Sequence, residues 1–408
     1  MGLQFTLLRS VALATALIPS ILASGAHAAS TEDANGQAAS SSGYAMLLPQ
    51  PSALPEPVLP PTTAPESGAF TSAPVGIPAP LLPSTVAAAA PAQPAKAALL
   101  RWGYMVGSTL PDSVLQHPRG FDYLSPDWFH LDYNGDVYGD ASGQVKQFAT
   151  ANGIKLVPIV ANGEFDADVA HAIVSDGTLQ THVLDSLQAL LSDPAYAGIN
   201  IDFENLYASD RDLFSAFMTN VYARLHPLGK LVTIALPAKT SDADPYSFAG
   251  PFDYAGLAPH FDMAVLMTYD DHWSGGGAGA IAPLDWVGDV VNYATKYIPA
   301  HKLLLGLEFY GYDWNISWGG QASAIGYNDI VSTILDTGGQ VYMDPQSHTP
   351  VYTYQGDDGM HQIWFENSTS LGYKLTLVEN KGLAGWGGWR VGLEDQNFWS
   401  LNLTGRQA

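Results

Sequence analysis

The chain of 408 residues is 47% hydrophobic and 13% charged, enough apolar material for a packed interior in one large domain or two to three small ones. Its 39 acidic against 16 basic side chains leave a formal charge of -23, which repels nucleic-acid phosphates and anionic membrane surfaces at long range. The absence of cysteine excludes disulfides, thiolate metal sites, cysteine nucleophiles and a lipidated N-terminal cysteine.

Residues 1–28 carry one cation, Arg9, then an apolar run from Val11 to Ser24 interrupted by Pro19, then Ala26-His27-Ala28. This reads as a secretory signal peptide cleaved near Ala28, because the run is shorter than the ~20 residues of a spanning helix. An uncleaved anchor is the competing reading. Residues 29–98 hold 13 of the 28 prolines, between Pro49 and Pro94, among Ala, Ser and Thr and without tryptophan. So little buriable area cannot offset the entropy of ordering, and a disordered Pro/Ala/Ser-rich tether is expected. The mature protein is therefore expected to be secreted or periplasmic, with no membrane span left after cleavage, and monomeric.

From Leu99 the texture changes: all ten tryptophans lie beyond Arg101, and apolar strand-like runs alternate with amphipathic stretches. Strands are predicted at Leu100 to Val106, Tyr123 to Leu131, Lys155 to Val160, Gly198 to Phe203, Lys230 to Leu236, Met263 to Tyr269, Lys302 to Phe309 and Leu383 to Trp389. Helices are predicted at Thr178 to Leu191, Arg211 to Leu225, Leu284 to Tyr297 and Ser370 to Lys381. Eight strands separated by helices predict an α/β fold, a (β/α)8 TIM barrel over residues 99–408. The surplus length falls between strands seven and eight, where a helix at Tyr327 to Leu335 and segments at Gln340 to Met343, Val351 to Tyr354 and His361 to Phe365 predict a small α+β insertion, about 316–368. A doubly wound open sheet is the alternative, disfavoured because no Gly-rich phosphate turn follows an early strand.

Strand four carries the densest chemistry. Gly198-Ile199-Asn200-Ile201-Asp202-Phe203-Glu204 alternates, so Asn200, Asp202 and Glu204 share one face and the apolar residues the other. The polar face must look into the lumen, where such groups are costly without partners or a task, and Glu204 falls at the C-terminal rim. Two carboxyls at this spacing can share a proton, and like charge raises one pKa. Glu204 is then a candidate general acid with Asp202 ionised beside it, and Asn200 is free to donate a hydrogen bond to Asp202 without adding charge. A purely structural polar network is the competing reading of this strand.

Ala197 to Glu204 resembles the DxxDxDxE strand of family 18 glycoside hydrolases, with Ala197 and Asn200 standing where that pattern has its first two aspartates. Met267-Thr268-Tyr269-Asp270, followed by Asp271-His272-Trp273-Ser274-Gly275, resembles the family's MxYD motif, in the form found in the spore-cortex fragment-lytic glucosaminidase branch, which also tends to carry asparagine at the second position. Trp389, in Gly387-Gly388-Trp389-Arg390, is similarly placed to the family's tryptophan floor at the end of strand eight. The resemblance spans Leu100 to about Trp399. It implies an N-acetylglucosaminidase or chitinase-type glycosidase with a retaining, substrate-assisted mechanism, no cofactor, and a GlcNAc-containing polysaccharide as partner, peptidoglycan fragments ahead of chitin. In that mechanism Glu204 is the acid and base, Asp202 stabilises the acetamido N–H, Tyr269 donates to the acetamido oxygen, Asp270 lines the subsite and Trp389 carries the sugar face. A non-catalytic glycan-binding protein on the same barrel is the alternative from another class, and a structural envelope protein with the tether as spacer is a third.

Six further tryptophans, Trp128, Trp273, Trp286, Trp314, Trp318 and Trp386, are core fillers or cleft extensions, and Trp273 and Trp314 are favoured for the cleft because they lie just past strand ends. Tyr104, near the end of strand one, is a further candidate sugar contact, with a core role as the equal alternative. His272 lacks HxH or HExxH spacing and is read as structural, so no metal is expected. The sequons at Asn315, Asn367 and Asn402 matter only in a eukaryotic host.

Overall fold

The computed structural model describes residues 98–401, so the signal-peptide reading, nearly all of the tether and the Asn402 sequon lie outside the described residues. Seven strands of the first sheet arrive in chain order: β1 (Leu100–Val106), β2 (Tyr123–Leu131), β3 (Ile159–Asn162), β4 (Gly198–Asp202), β5 (Leu231–Pro237), β6 (Met263–Met267) and β7 (Leu303–Glu308). Strand three starts four residues later and ends two residues later than its apolar run suggests: Lys155–Leu156 forms a separate short strand, because Pro158 has no N–H for the ladder. A second sheet follows: β8 (Tyr310–Asn315), β9 (Ser323–Gly326), β10 (Val341–Met343), β11 (Pro350–Gly356) and β12 (Gly359–Phe365). The chain then returns through a helix to β13 (Gly385–Trp389).

Each barrel strand pairs in parallel with its neighbours, β2 through β7 in order, then β13, then β1, and β1 pairs β2 to close the cylinder. The result is a (β/α)8 TIM barrel. Its outer layer is built by α2 (Gly143–Asn152), α3 (Ala167–Ser175), α4 (Gly177–Leu190), α5 (Arg211–Leu225), α7 (Leu284–Ala294) and α9 (Ser368–Lys381), with the short α1 (Asp112–Gln116) and α6 (Tyr254–Leu257) in the connections. Local chemistry sets the ends: Asp166 caps α3 through the amides of Asp168 and Val169, and α9 opens with a capping box of Asn367 and Ser370 and stops at left-handed Gly382. Gly198 starts β4 where a Cβ would sit 2.1 Å from the Leu231 carbonyl oxygen, so only glycine allows the two strands to pair there.

Two apolar layers follow from the alternation. Ile199, Ile201 and Phe203 join the large core between barrel and helices, while Trp102, Tyr104, Tyr123, Val157, Ile159, Ala161, Val265 and Leu304 fill the lumen. Between β7 and α9 the second sheet is antiparallel in the order β9-β8-β12-β11-β10, and α8 (Tyr327–Thr337) packs Ile330 with Tyr352, Ile363 and Phe365. This α+β unit starts with Tyr310, earlier than 316, because the motif Tyr310 to Asn315 continues almost directly from β7 and its strand character merges with that run. A buried ion cluster joins unit and barrel: the Lys374 ammonium of α9 donates to both carboxylate oxygens of Glu308, at 3.0 and 3.1 Å, and pairs with Glu366 at 2.9 Å.

Candidate active site

The site is built at the C-terminal ends of the strands. Strand β4 ends at Asp202, so Glu204 stands two residues beyond the ladder. Its direction is set from both sides. Phe203 faces outward and stacks on Phe214 and Phe217 of α5, at 5.8 and 5.5 Å, which turns the next residue toward the lumen. From β3, the buried Asn162 accepts a hydrogen bond from the Glu204 N–H and donates to the Glu204 carbonyl, both at 2.9 Å. Asn162 thereby supplies both partners of a peptide that has left the sheet. Asn205 then reverses the chain with φ 59° and donates to the carbonyl of Phe165, itself at φ 59°. With Asp270 at φ 63°, three of the four non-glycine left-handed residues among those described fall in loops at this rim. Such conformations cost roughly 1–3 kcal/mol each and persist where the surroundings enforce them.

Below Glu204, Asp202 is 6% exposed and Asn200 fully buried. The Asn200 amide donates to the Thr233 hydroxyl at 2.9 Å and not to Asp202, a correction to the expected pairing: Thr233 is its register partner on β5. The Oδ1 of Asp202 is left buried without a hydrogen-bond partner. Burial, and secondly the charge of Asp127 on β2, push Asp202 up to about 7, so its ionisation falls near neutrality and not in the ordinary carboxylate range. Glu204 is held well above its ordinary value by burial, then by Asp202, Asp270 and Asp127. The charge of Asp202 is thus among the causes that raise Glu204, which favours the proton on Glu204.

Tyr269 follows β6, and burial, then Tyr104, Asp202, Glu204 and Asp270, hold its hydroxyl well above its ordinary value, so it remains a donor facing the carboxyls. Asp270 is raised by burial, a shift opposed by Tyr310 and Tyr312; the Tyr310 hydroxyl donates to Asp270 Oδ1 at 2.6 Å. The small sheet thus supplies a residue to the rim through its first strand. Tyr104 is buried in the lumen with its ring centroid 5.7 Å from that of Trp389, and its hydroxyl lacks a hydrogen-bond partner. Trp389 ends β13 and packs on both the lumen layer and the Tyr310, Tyr312 and Trp314 cluster.

Two tryptophans separate. Trp273 is 36% exposed in the loop after β6. Trp314 is only 3% exposed, with its indole N–H donating to the Gly276 carbonyl at 3.2 Å. The structure therefore places Trp314 beneath the Trp273 loop, away from solvent, because it sits on the covered face of β8. His272 closes the same loop, its Nδ1 lying 2.9 Å from the Gly277 carbonyl oxygen. Among the described residues no group of three or more metal-ligating side chains is gathered, and no helix is long and apolar enough to cross a membrane.

The structure brings Asn200, Asp202, Glu204, Tyr269, Asp270, Tyr104 and Trp389 to one end of the barrel, together with Asn162, Asp127 and Tyr310, which the sequence analysis did not single out. Asn162 carried a usable signal, a polar residue closing an apolar strand at the barrel's C-terminal end. Tyr310 carried none, since its partner is 40 residues away.

The sequence model of glycosyl hydrolases family 18 matches residues 125–394. The cortical fragment-lytic enzyme of Bacillus anthracis is 29% identical over 312 residues, covering 73% of this chain and 72% of that protein. Among solved structures, the spore cortex-lytic enzyme SleL of Bacillus megaterium superposes with a TM-score of 0.70 at 26% identity, covering 76% of this chain and 74% of that one. A chitinase of Chromobacterium violaceum superposes with a TM-score of 0.70 at 27% identity, covering 74% of this chain and 97% of its own.

Proposed function

Because the chain belongs to family 18 of the glycosyl hydrolases, and is by that membership a glycosidase, we propose that it cleaves β-1,4 linkages next to N-acetylglucosamine by a retaining, substrate-assisted mechanism. Peptidoglycan fragments stand ahead of chitin-like glycans as the polymer, since the similar proteins include cortical fragment-lytic enzymes as well as a chitinase. Action outside the cytoplasm, after export, belongs to the same reading.

The arrangement that carries it is the buried pair of carboxyls at the end of β4, both raised by burial, in which the charge of Asp202 further raises Glu204, the acid that carries the proton, with Tyr269 near enough to be raised by both. Glu204 gives that proton to the glycosidic oxygen as the C–O bond breaks. The sugar's acetamido oxygen attacks the anomeric carbon and closes an oxazolinium ring, whose N–H carries positive charge. Asp202, ionised, accepts that N–H, and Tyr269 donates to the acetamido oxygen, so fixed groups meet the charge where it develops in a site with little water. Water then attacks the anomeric carbon from the face the leaving group vacated and opens the ring, and the Glu204 carboxylate takes its proton, which restores the acid. Trp389 presents an indole against the C–H face of the sugar. Asp270, held by Tyr310, and Asn200 line the floor. Tyr104 and Trp273 complete the contacts, Tyr104 from below and Trp273 from the exposed rim.

Mass spectrometry of products from the wild type and Glu204→Gln, each incubated with purified peptidoglycan and with chitin oligomers, tests this reading. GlcNAc-terminated products from the wild type alone are expected. No products from either polymer with binding retained would replace the hydrolase by a glycan-binding protein, and equal rates for the two proteins would remove Glu204 from the acid role.

A further inference from the structure

Strand β2 places a second acid at the lumen. Tyr123, Ser125 and Asp127 alternate inward, the first two buried in or against the lumen layer. The alternation then breaks: the register with β3 runs from Asp127 opposite Ile159 to Phe129 opposite Val160, so Trp128 is an extra residue and a bulge. Trp128 and Phe129 both join the outer core, and the Trp128 indole donates to the Gly107 carbonyl at 2.9 Å. The bulge anchors β2 outward immediately after Asp127, the use to which barrel rims put such irregularities, and the alternation resumes with His130, between the outward Phe129 and Leu131 and on the side of Asp127.

Across the register, Asp127 pairs with Ile159 and Ile159 with Asn200, while Ala161 pairs with Asp202. The β3 residues between the acids are thus apolar and offer neither carboxyl a hydrogen bond. Oδ1 of Asp127 and Oδ1 of Asp202 are both buried without a hydrogen-bond partner, and the imidazole of His130 lies with Nε2 3.9 Å from Asp127 Oδ1. Directly beneath Asp202 stands the neutral Asn200, whose amide is committed to Thr233.

We propose that Asp127 is a positioning residue, a cross-lumen carboxylate from β2 that takes the place of an acid beneath Asp202 and governs the protonation state Asp202 presents to the substrate's N–H. This rests on the hydrolase reading for its consequence in turnover, though not for the coupling itself. The charged and titratable groups around the two acids are Tyr104 on β1, His130 on β2, Glu164 after β3, Glu204 after β4, and Tyr269 and Asp270 after β6; the inward residues of β5, β7 and β13 here include Thr233, Leu304 and Gly387, which do not titrate. The negative charge of Asp127 opposes ionisation of Asp202 and of Glu204. Removing it must therefore let both acids ionise at lower pH, which moves the acid limb and the basic limb of the activity profile down together.

The test compares full-length wild type, Asp127→Asn, Asp127→Ser and Asp127→Glu, with folding checked by circular dichroism and Asp127→Ser replacing the amide variant if that one misfolds. The Asp202 carboxyl is titrated by carbon NMR in the free protein, and kcat and KM are followed against pH on a fluorogenic diacetylchitobioside. Both neutral variants should lower the Asp202 midpoint and the pH optimum by on the order of 0.5 to 1 unit, raise kcat on the acid side of the wild-type optimum and lower it on the basic side, and leave KM within about twofold, while Asp127→Glu keeps the wild-type profile. An Asp202 midpoint unmoved by either neutral variant overturns the proposal. A wild type inactive on the sugar counts against the hydrolase reading alone, because the NMR midpoint still decides the role of Asp127.

Discussion

Replacing Asn162 by alanine removes the side chain that holds the Glu204 peptide. Asn162 makes three hydrogen bonds, each at 2.9 Å: from the Glu204 N–H, to the Glu204 carbonyl and to the Asp166 carbonyl. The Asp166 carbonyl also receives the Ala170 N–H in the first turn of α3, so the loss falls chiefly on Glu204. At ~1 kcal/mol net per bond, with more where a buried group is left unpaired, the variant should lose about 3–5 kcal/mol of stability in denaturant unfolding. The catalytic effect is separable. A displacement of Glu204 by about 1 Å costs on the order of 10²-fold in rate, so kcat on a GlcNAc oligosaccharide should fall by that factor while KM changes little, since Trp389, the proposed sugar floor, is untouched. A stability loss of the expected size with kcat within about twofold of wild type would show that the clamp supports the fold and does not aim the acid, and would refute the argument.

Two other outcomes are expected. Asp202 has its folded pKa raised from 3.8 to about 7, so its contribution to stability is complete below its unfolded value and is lost as pH rises through neutrality, on the order of a few kcal/mol. Asp202→Asn should therefore flatten the fall in thermal midpoint between pH 4.5 and pH 8, and an unchanged slope would mean that Asp202 is solvated. Lys374→Met leaves Glu308 and Glu366 facing each other in the core and should cost about 3–5 kcal/mol in urea unfolding. The loss should be smaller at pH 5 than at pH 8, because burial already holds Glu308 well above the usual range and protonation relieves the exposed pair of charges; a cost under about 1 kcal/mol at both would mean that the cluster is hydrated.

Much of this site was legible because strand geometry is a local property. A period of two puts Asn200 and Asp202 on one face whatever surrounds them, and the apolar runs on either side demand a cylinder of strands whose C-terminal ends converge. The missed residues share a different origin. Asn162 binds Glu204 from 42 residues away, and Tyr310 reaches Asp270 from 40 away, so neither contact has a sequence period. Asp127 was obscured by the bulge, since Trp128 and Phe129 both turn outward and spoil the alternation by which the other inward residues are recognised. Trp314 failed in the opposite sense: its place past a strand end suggested exposure, but the second sheet puts that face of β8 under the Trp273 loop.

The sequence by itself determined the barrel, the insertion before its last strand, and the line of carboxyls on β4, because alternation, helix periodicity and turn residues act over a few neighbours. The family resemblance added the chemistry those carboxyls serve. Only the tertiary structure decided how far both acids are held above the ordinary carboxylate range. Protonation depends on how much water is excluded and which charges stand within reach, and both are set by strands and loops brought together from the whole length of the barrel.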